Sequence, residues 1–397
     1  MNGTHEKSTT PRRTERVKQA RHALALAVLS ISTSVWAERA DVEGGVASRY
    51  QLSDVQVDPY TQPLRMNADG VVVGYVNYSN WEPIRSTSPG RFELLPYLTP
   101  EYNGGEARGV NAAGDAVGYQ RSFHNGADKL PTAVRWPASG GVINLGTQMP
   151  ADSFHVATDI NTAGQAVGYF AYDRNGDGAR ESGNTVIWAA DGTPEVLANP
   201  PGTKGLWGSS INDAGHVAGT VMHGRSSREE LAAFFWSPAT GVKMFGPATL
   251  VKDINDKDEV VGRGDPDGYG HAFYWHPSMG RWAQPLPIVK GYRYCTANSI
   301  SPDSVIVGNC TGGHGKTGST AAVAWERQPD GHWKAIELER LFRHDVYRLS
   351  SEIHDIDAHG RMLYTAGTAT PNVYVSRAGI ATPVDASAEA DDVLSSQ

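Results

Sequence analysis

The sequence has no metal-spaced histidine cluster, no Gly-x-Ser-x-Gly catalytic elbow and no long apolar run. These absences argue against a zinc site built on paired histidines and against a hydrolase of the serine-elbow type. The apolar run at Ala23–Ile31 is too short to span a bilayer. Few segments have helical periodicity, so the sequence predicts an all-β protein.

That short apolar run belongs to a predicted signal peptide over residues 1–37. Arg12, Arg13 and Arg16 belong to a basic region before it, and Val35-Trp36-Ala37 fits a small-residue cleavage site after it. The alternative is a buried N-terminal helix. We expect export to the periplasm or the extracellular space, with no membrane insertion after cleavage.

Basic residues are in the minority. Residues 1–37 hold six of the 35 Lys and Arg and two of the 43 Asp and Glu, so cleavage would leave a net charge of about −12. An acidic surface of this size opposes binding to nucleic acid or to anionic membranes.

Seven copies of one pattern run through the remaining sequence: an apolar residue, Asn, two residues, Gly, a polar residue, two apolar residues and Gly. The copies are numbered as repeats 1 to 7, and their Asn-equivalent positions are 43 to 56 residues apart. These positions are Asn67, Asn111, Asn161, Asn212, Asn255, Ser301 and Asp357. The period fits one four-stranded propeller blade.

Each copy predicts a β-hairpin. Asn can bond its own backbone two residues on, and Gly three positions later can adopt a positive φ. Repeats 5 and 6 carry Asp258 and Ser304 in place of that Gly, so their turns are expected to differ. The second Gly leaves room for a neighbouring strand.

A later strand in five repeats ends in tryptophan. Even spacing favours packing between blades, and stacking on sugars is the alternative. These residues are Trp136, Trp188, Trp236, Trp275 and Trp325.

Repeat 5, with Ile254-Asn255 through Gly262 and then His271-Ala272-Phe273-Tyr274-Trp275, resembles the HAF-repeat family of extracellular repeat proteins. The resemblance covers about residues 50–385. It implies a secreted β-propeller and brings no catalytic residues.

The predicted fold class is therefore an all-β, seven-bladed β-propeller. It would occupy residues 38–385, followed by a disordered acidic tail over residues 386–397. An open solenoid is the alternative, but closure removes exposed sheet edges. The strand at Tyr50–Val55 is expected to complete the last blade and join the two ends.

Two cysteines occur, Cys295 and Cys310, both in repeat 6. Export predicts a disulfide between them. A four-residue turn at 301–304 would place them opposite each other, whereas a bulged turn would place them on opposite faces. Two unrelated buried thiols are the alternative.

Repeat 3 contains an acidic loop, Asp173-Arg174-Asn175-Gly176-Asp177-Gly178. Asp173, Asn175, Asp177 and Glu181 alternate oxygen ligands around a glycine turn, as hard cations require. The prediction is a structural Ca²⁺ site, and a polar hairpin tip is the alternative.

No catalytic residue is assigned. Asp159, Asp253 and Asp355 recur two residues before the Asn position and could supply acid–base carboxylates at the channel. Alternatively they bond neighbouring backbone or arginine. The favoured function is a non-enzymatic, monomeric module that binds a protein or glycan or serves as a scaffold. The alternative is an enzyme acting on polysaccharide, with carboxylates at the channel mouth.

Calcium should raise the melting temperature of the mature protein, because a ligand that binds only the folded state stabilises it by about 2.7 kcal/mol at 100 times its Kd. Scanning calorimetry with saturating Ca²⁺ and with a chelator measures this. Asp173→Asn combined with Asp177→Asn should abolish the difference. An unchanged melting temperature at saturating Ca²⁺ would contradict the site.

Overall fold

A computed structural model of the chain describes residues 50–54, 60–78, 80–88, 91–122, 130–150, 152–172, 182–222, 233–247, 250–264, 270–313, 316–338, 349–370 and 373–383. The regular elements in these ranges are β-strands and one 3-10 turn at Pro277–Met279. No helix in the described part of the chain is long and apolar enough to cross a membrane.

Strands follow one another with short connections. The first fourteen are β1 (Tyr50–Asp54), β2 (Thr61–Met66), β3 (Val72–Asn77), β4 (Trp81–Ser88), β5 (Arg91–Leu94), β6 (Gly104–Val110), β7 (Ala116–Arg121), β8 (Thr132–Trp136), β9 (Ile143–Asn144), β10 (Ser153–Ile160), β11 (Ala166–Tyr172), β12 (Ser182–Trp188), β13 (Pro194–Val196) and β14 (Gly205–Ile211). The others are β15 (Val217–Met222), β16 (Ala233–Ser237), β17 (Gly241–Phe245), β18 (Leu250–Ile254), β19 (Val260–Gly264), β20 (His271–Trp275), β21 (Gln284–Pro285), β22 (Tyr294–Ile300), β23 (Ile306–Gly313), β24 (Lys316–Arg327), β25 (Trp333–Glu337), β26 (Leu349–Ile356), β27 (Met362–Thr370) and β28 (Val373–Pro383).

Antiparallel pairing of consecutive strands builds most of the sheets. Five are separate and four-stranded: β2–β5, β6–β9, β18–β21, β22–β25, and β26–β28 with β1. Strands β10–β17 form one eight-stranded sheet, whose two halves meet at a single parallel pair, Gly183 with Gly205. A Cβ on Gly205 would lie 2.3 Å from the carbonyl oxygen of Gly183, so the two glycines allow this approach. The described residues therefore form five separate four-stranded blades and one eight-stranded sheet, so the prediction of seven separate blades is wrong for them.

The sheets close around one axis. The first strand of each repeat contacts the first strand of the next, all the way around the ring, and so lies innermost: β2, β6, β10, β14, β18, β22 and β26. Arg65 on β2 donates to the Lys252 carbonyl on β18 at 2.9 Å and to the Asp355 carboxylate on β26 at 3.1 Å. The backbone amide of Met66 also donates to Asp355 at 2.7 Å. Since the last repeat bonds to the first across a shared centre, the predicted all-β propeller arrangement is confirmed.

The N-terminal strand completes the last sheet, as predicted. Strand β1 pairs antiparallel with β28, with Tyr50 opposite Pro383 and Asp54 opposite Gly379. The two ends of the described chain are thus held in one sheet, which removes a free edge from the ring.

All seven hairpins use the same turn, which corrects the expectation for repeats 5 and 6. Asp258 and Ser304 adopt φ values of 61° and 67°, close to the 82° of Gly70. Side chains of neighbouring repeats hold both residues in this costly conformation. Asn212 Nδ2 donates to Asp258 at 2.8 Å, and Ser304 Oγ donates to Glu259 at 2.6 Å.

The second glycine of the repeat is required for close approach, as predicted. A Cβ on Gly118 would lie 1.9 Å from the carbonyl oxygen of Glu106 on the innermost strand of the same sheet. The same contact distance is 1.9 to 2.2 Å at Gly74, Gly168, Gly219, Gly262 and Gly308.

The Asn side chain of the turn joins adjacent repeats. Its oxygen accepts backbone N–H groups within the turn, as Asn67 does from Asp69 and Val71. Its amide donates to the backbone carbonyl at the equivalent position of the next repeat, over 2.9 to 3.3 Å in repeats 1 to 5. In repeat 7, where Asp357 cannot donate, Arg361 bonds its carboxylate and donates to the Ala68 carbonyl of repeat 1 at 2.7 Å.

The repeated tryptophans belong mainly to the core. Trp136, Trp188, Trp275 and Trp325 are essentially fully buried, and Trp236 is partly exposed. The indole of Trp188 also donates to the Leu145 carbonyl at 2.9 Å. Packing between sheets therefore explains these four residues, and sugar stacking by them is excluded.

Cys295 and Cys310 form the predicted disulfide. The turn is one residue longer than the four-residue form, because Ile300 pairs with Ile306. A β-bulge at Asn298 shifts the register back and places the two cysteines opposite each other. The sequence predicted either a four-residue turn or a bulged turn. A longer turn offset by a bulge within the strand was not among these alternatives.

Several predicted features lie outside the described residues. These are the signal peptide at 1–37, the tail at 386–397 and the calcium ligands Asp173, Asn175, Asp177 and Glu181.

Asn161→Asp should lower the free energy of unfolding by about 1–3 kcal/mol, because it leaves the Asn212 carbonyl without its donor. Urea unfolding measures the change. Asn144→Asp is the matched control, since the Asn144 side chain only accepts from Gly146. Equal effects of the two substitutions would contradict a role for the inter-repeat bond.

Candidate functional site

Each innermost strand contains one β-bulge, at the residue three positions before the Asn-equivalent residue. The bulge residues are Leu64, Arg108, Thr158, Ser209, Lys252, Asn298 and His354. All seven differ in type, whereas the position directly before the Asn-equivalent residue is apolar in every repeat. A bulge redirects a side chain. The residue type therefore varies at the position where each repeat directs a side chain toward the axis.

Next to the bulge residues lies a polar ring, which we define as Arg65, Asp159, Ser210, Asp253, Ser299 and Asp355. Ser210 Oγ lies 2.6 Å from Asp159 and 3.1 Å from Asp253. Ser299 Oγ lies 2.8 Å from Asp253 and 2.7 Å from Asp355. Gly109 holds the seventh position, where a Cβ would lie 2.8 Å from the Asp159 Cα.

The carboxylates of the polar ring connect one repeat to the next. Asp159 accepts from the backbone N–H of Ile211, and Asp253 accepts from that of Ile300. The sequence offered two alternatives for these aspartates, convergence at the channel and bonding to backbone or arginine, and both hold in part. The carboxylates converge at the channel, but they are bonded to backbone N–H groups, serine hydroxyls and Arg65. They are structural groups in this arrangement.

Burial sets the protonation of the ring. It raises the pKa of Asp159 to about 6, although Arg65 opposes the shift. Burial also raises the pKa of Asp355. Burial disfavours the charge of Arg65, but Asp253, Asp355 and Asp159 outweigh it and raise the pKa of Arg65.

Beside the polar ring the channel widens into a cavity of about 670 Å³, called the channel cavity below. All seven bulge residues line it, together with Arg65 and side chains from the strands around them. The additional lining side chains include Glu106, Tyr169, Trp207, Thr220, Leu250, Asn309 and Glu352.

Aromatic rings form part of the lining. Tyr169 and Trp207 stack with centroids 5.1 Å apart and planes 19° from parallel. Phe154 packs edge-on against Tyr169 at 6.4 Å. Trp207 is partly exposed, unlike the four core tryptophans. The Tyr169–Trp207 pair therefore offers an aromatic surface to the cavity.

Glu106 and Arg108 form an ion pair in the same lining. Arg108 Nε lies 2.8 Å from Glu106 Oε2, and the Tyr119 hydroxyl donates to Glu106 Oε1 at 3.0 Å. Burial opposes the charge of Arg108, but Glu106 outweighs it and raises the pKa of Arg108. Both carboxylate oxygens of Glu106 are thus hydrogen-bonded.

Lys252, Glu352 and His354 complete the ionisable lining. Burial lowers the pKa of Lys252, and Arg65, Arg108 and Arg263 lower it further. Burial raises the pKa of Glu352. Burial lowers the pKa of His354 to about 4, and its Nε2 lies 2.8 Å from the Thr365 hydroxyl.

Within the described ranges, no three His, Cys, Asp or Glu side chains are grouped as metal ligands. Among the described residues, the carboxyl group of Glu352 makes neither an ion pair nor a hydrogen bond, unlike that of Glu106. The channel cavity therefore offers chiefly stacking, hydrogen bonding and charge.

Sequence reasoning missed the bulge residues and Trp207. A usable signal existed: the position three before Asn is the one whose residue type differs in every copy. Trp207 also stands outside the regular series of five tryptophans.

No protein-family model and no curated protein matches the chain. Similar solved structures include a streptogramin B lyase, at 14% identity and TM-score 0.45, over 84% of this chain and 97% of that one. Porphyromonas gingivalis dipeptidyl peptidase 4 is similar at 8% identity and TM-score 0.43, over 80% and 52%. A Pyrococcus horikoshii acylaminoacyl peptidase is similar at 12% identity and TM-score 0.45, over 84% and 55%. This chain thus spans about half of either peptidase, and similarity at this level supports no functional argument.

His354 should make the protein less stable in acid. Its pKa is about 4 when folded against 6.5 for the free group, so its contribution is complete above pH 6.5 and is lost as the pH falls toward 4. The loss is at most about 3 kcal/mol. The free energy of unfolding of His354→Gln, measured with urea, should therefore decrease less steeply between pH 6.5 and 4 than that of wild type.

The exposed residue His332 provides the control, and His332→Gln should unfold with the wild-type pH dependence. Asp159 and Asp355 act in the opposite direction, so the informative quantity is the difference between variant and wild type. Parallel curves for His354→Gln and wild type would contradict the assignment.

Proposed function

We propose that this protein is an exported β-propeller that binds a glycan in the channel cavity. The observation that carries the proposal is the Tyr169–Trp207 stack in a cavity of about 670 Å³ that is also lined by amide and hydroxyl groups. Sugars present apolar ring faces together with many hydroxyls, so they suit aromatic surfaces beside hydrogen-bonding side chains. The volume lies in the usual range of small-ligand sites.

The proposal includes seven blades, with the eight-stranded sheet counted as two. Each half of that sheet has its own Asn turn, at Asn161 and Asn212, and its own bulge, at Thr158 and Ser209. One residue pair joins the halves, which is too little to make them one packing unit.

Export, through a signal peptide at 1–37, is supported by the disulfide, which is typical of oxidising compartments. Membership of the HAF-repeat family, a monomeric state and the calcium site stay predictions. A protein ligand in place of a glycan is an outcome that the binding experiments below distinguish.

A second candidate function is hydrolysis of a polysaccharide with Glu352 as proton donor. The raised pKa of Glu352 favours it, because a general acid must hold its proton near neutral pH. The cavity's other glutamate, Glu106, is held by Arg108 and Tyr119. Reducing-sugar release that Glu352→Gln abolishes would establish the enzyme over the binding module.

Trp207→Ala should weaken binding to oligosaccharides selected on a glycan array by at least about tenfold, or 1.4 kcal/mol, because it removes the stacking surface. Titration calorimetry measures the affinity. Trp282→Ala is the matched control, since Trp282 is 63% exposed and does not line the cavity. Near-UV circular dichroism checks that both variants fold. Equal affinities for the two variants, or no glycan bound by wild type, would overturn the proposal.

A further inference from the structure

Charge in the channel cavity is unevenly compensated. Three permanently or commonly cationic side chains line it: Arg65, Arg108 and Lys252. Arg65 is paired with Asp355 at 3.1 Å, and Arg108 is paired with Glu106 at 2.8 Å. Among the described residues, the ammonium group of Lys252 has neither an ion pair nor a hydrogen bond.

The position of Lys252 is fixed by the fold. It is the bulge residue of β18, between Val251 and Asp253, so its side chain projects into the cavity. The Asp253 carboxylate beside it is used by Ser299 and by the backbone of Ile300. A cation held in this way, without an internal partner, is costly unless a ligand supplies the negative charge.

The other ionisable groups of the lining do not supply that charge. Glu352 forms no ion pair with Lys252 among the described residues, and burial raises its pKa. His354 is neutral at pH 7, and its Nε2 is hydrogen-bonded to the Thr365 hydroxyl. Arg65, Arg108 and Arg263 add positive potential at Lys252.

We infer that the glycan bound in the channel cavity carries an anionic group, a uronate carboxylate or a sulfate ester, which pairs with Lys252 while a sugar ring stacks on Trp207. This inference rests on the proposed function and names its ligand class. The protein as a whole is acidic, with a formal net charge of −8. Non-specific adsorption of polyanions is therefore disfavoured, so binding of an anionic glycan requires a defined cationic site.

Calorimetric titration of the mature protein tests the inference with three oligosaccharide probes of equal length: an oligogalacturonate, its methyl ester and a sulfated neutral oligosaccharide. Wild type should bind an acidic probe at least tenfold tighter than the methyl ester. The two acidic probes distinguish carboxylate from sulfate as the source of the charge.

Lys252→Met should remove this preference, because the acidic probe loses the cation with which its charge pairs. Lys252→Arg should retain the preference. Lys243→Met is the matched control, because Lys243 is exposed on the outermost strand β17. Loss of a lysine without an internal partner should not lower the melting temperature, so reduced binding by Lys252→Met would not reflect unfolding.

The possible failures can be told apart. Equal affinity of wild type for acidic and neutral probes would overturn the inference and leave the proposed glycan binding standing. An acidic preference that survives in Lys252→Met would also overturn it. No binding of any saccharide would overturn the inference and the proposed function together.

Discussion

Hydrogen bonds between neighbouring repeats hold this ring together, at the hairpin turns and at the polar ring. A propeller sheet has no covalent link to the next except a short connection, so polar groups at the crowded centre need partners from adjacent repeats. At the hairpin turns, the Asn amide bonds the next repeat. In the polar ring, the aspartate carboxylates do so. Buried amides at 3 to 6% exposure, such as Asn161 and Asn67, are stable only because both ends of the side chain are bonded.

The exceptions follow the same constraint. Asp357 cannot donate, and Arg361 replaces the missing donor. Asp258 and Ser304 take a conformation that favours glycine, and contacts with adjacent repeats offset the cost. Substitutions that look like decay of the repeat are therefore compensated by partners from elsewhere in the chain. A single repeat, read alone, cannot reveal such partners.

Regular bonding around the ring leaves the bulge positions free to vary. Side chains there line the channel cavity, and two of them also bond the next repeat, Thr158 to the Gly208 carbonyl and Asn298 to the Ile353 carbonyl. The result is a cavity with an aromatic pair, hydroxyls and amides, and one uncompensated lysine. Two arginines of the same lining are neutralised by carboxylates, which is why the lysine sets the electrostatic character of the site.

Periodicity in the sequence determined the all-β class, the hairpin repeats, the second-glycine contacts and the closing strand Tyr50–Asp54, because each depends on spacing along the chain. Tertiary structure decided the rest. The bulge at Asn298 corrects the cysteine register, the Gly183–Gly205 contact merges two sheets, and Trp207, Lys252 and Glu352 meet in one cavity. These features depend on which residues from different repeats become neighbours around the axis. A local sequence pattern does not encode contacts between residues so far apart in the chain.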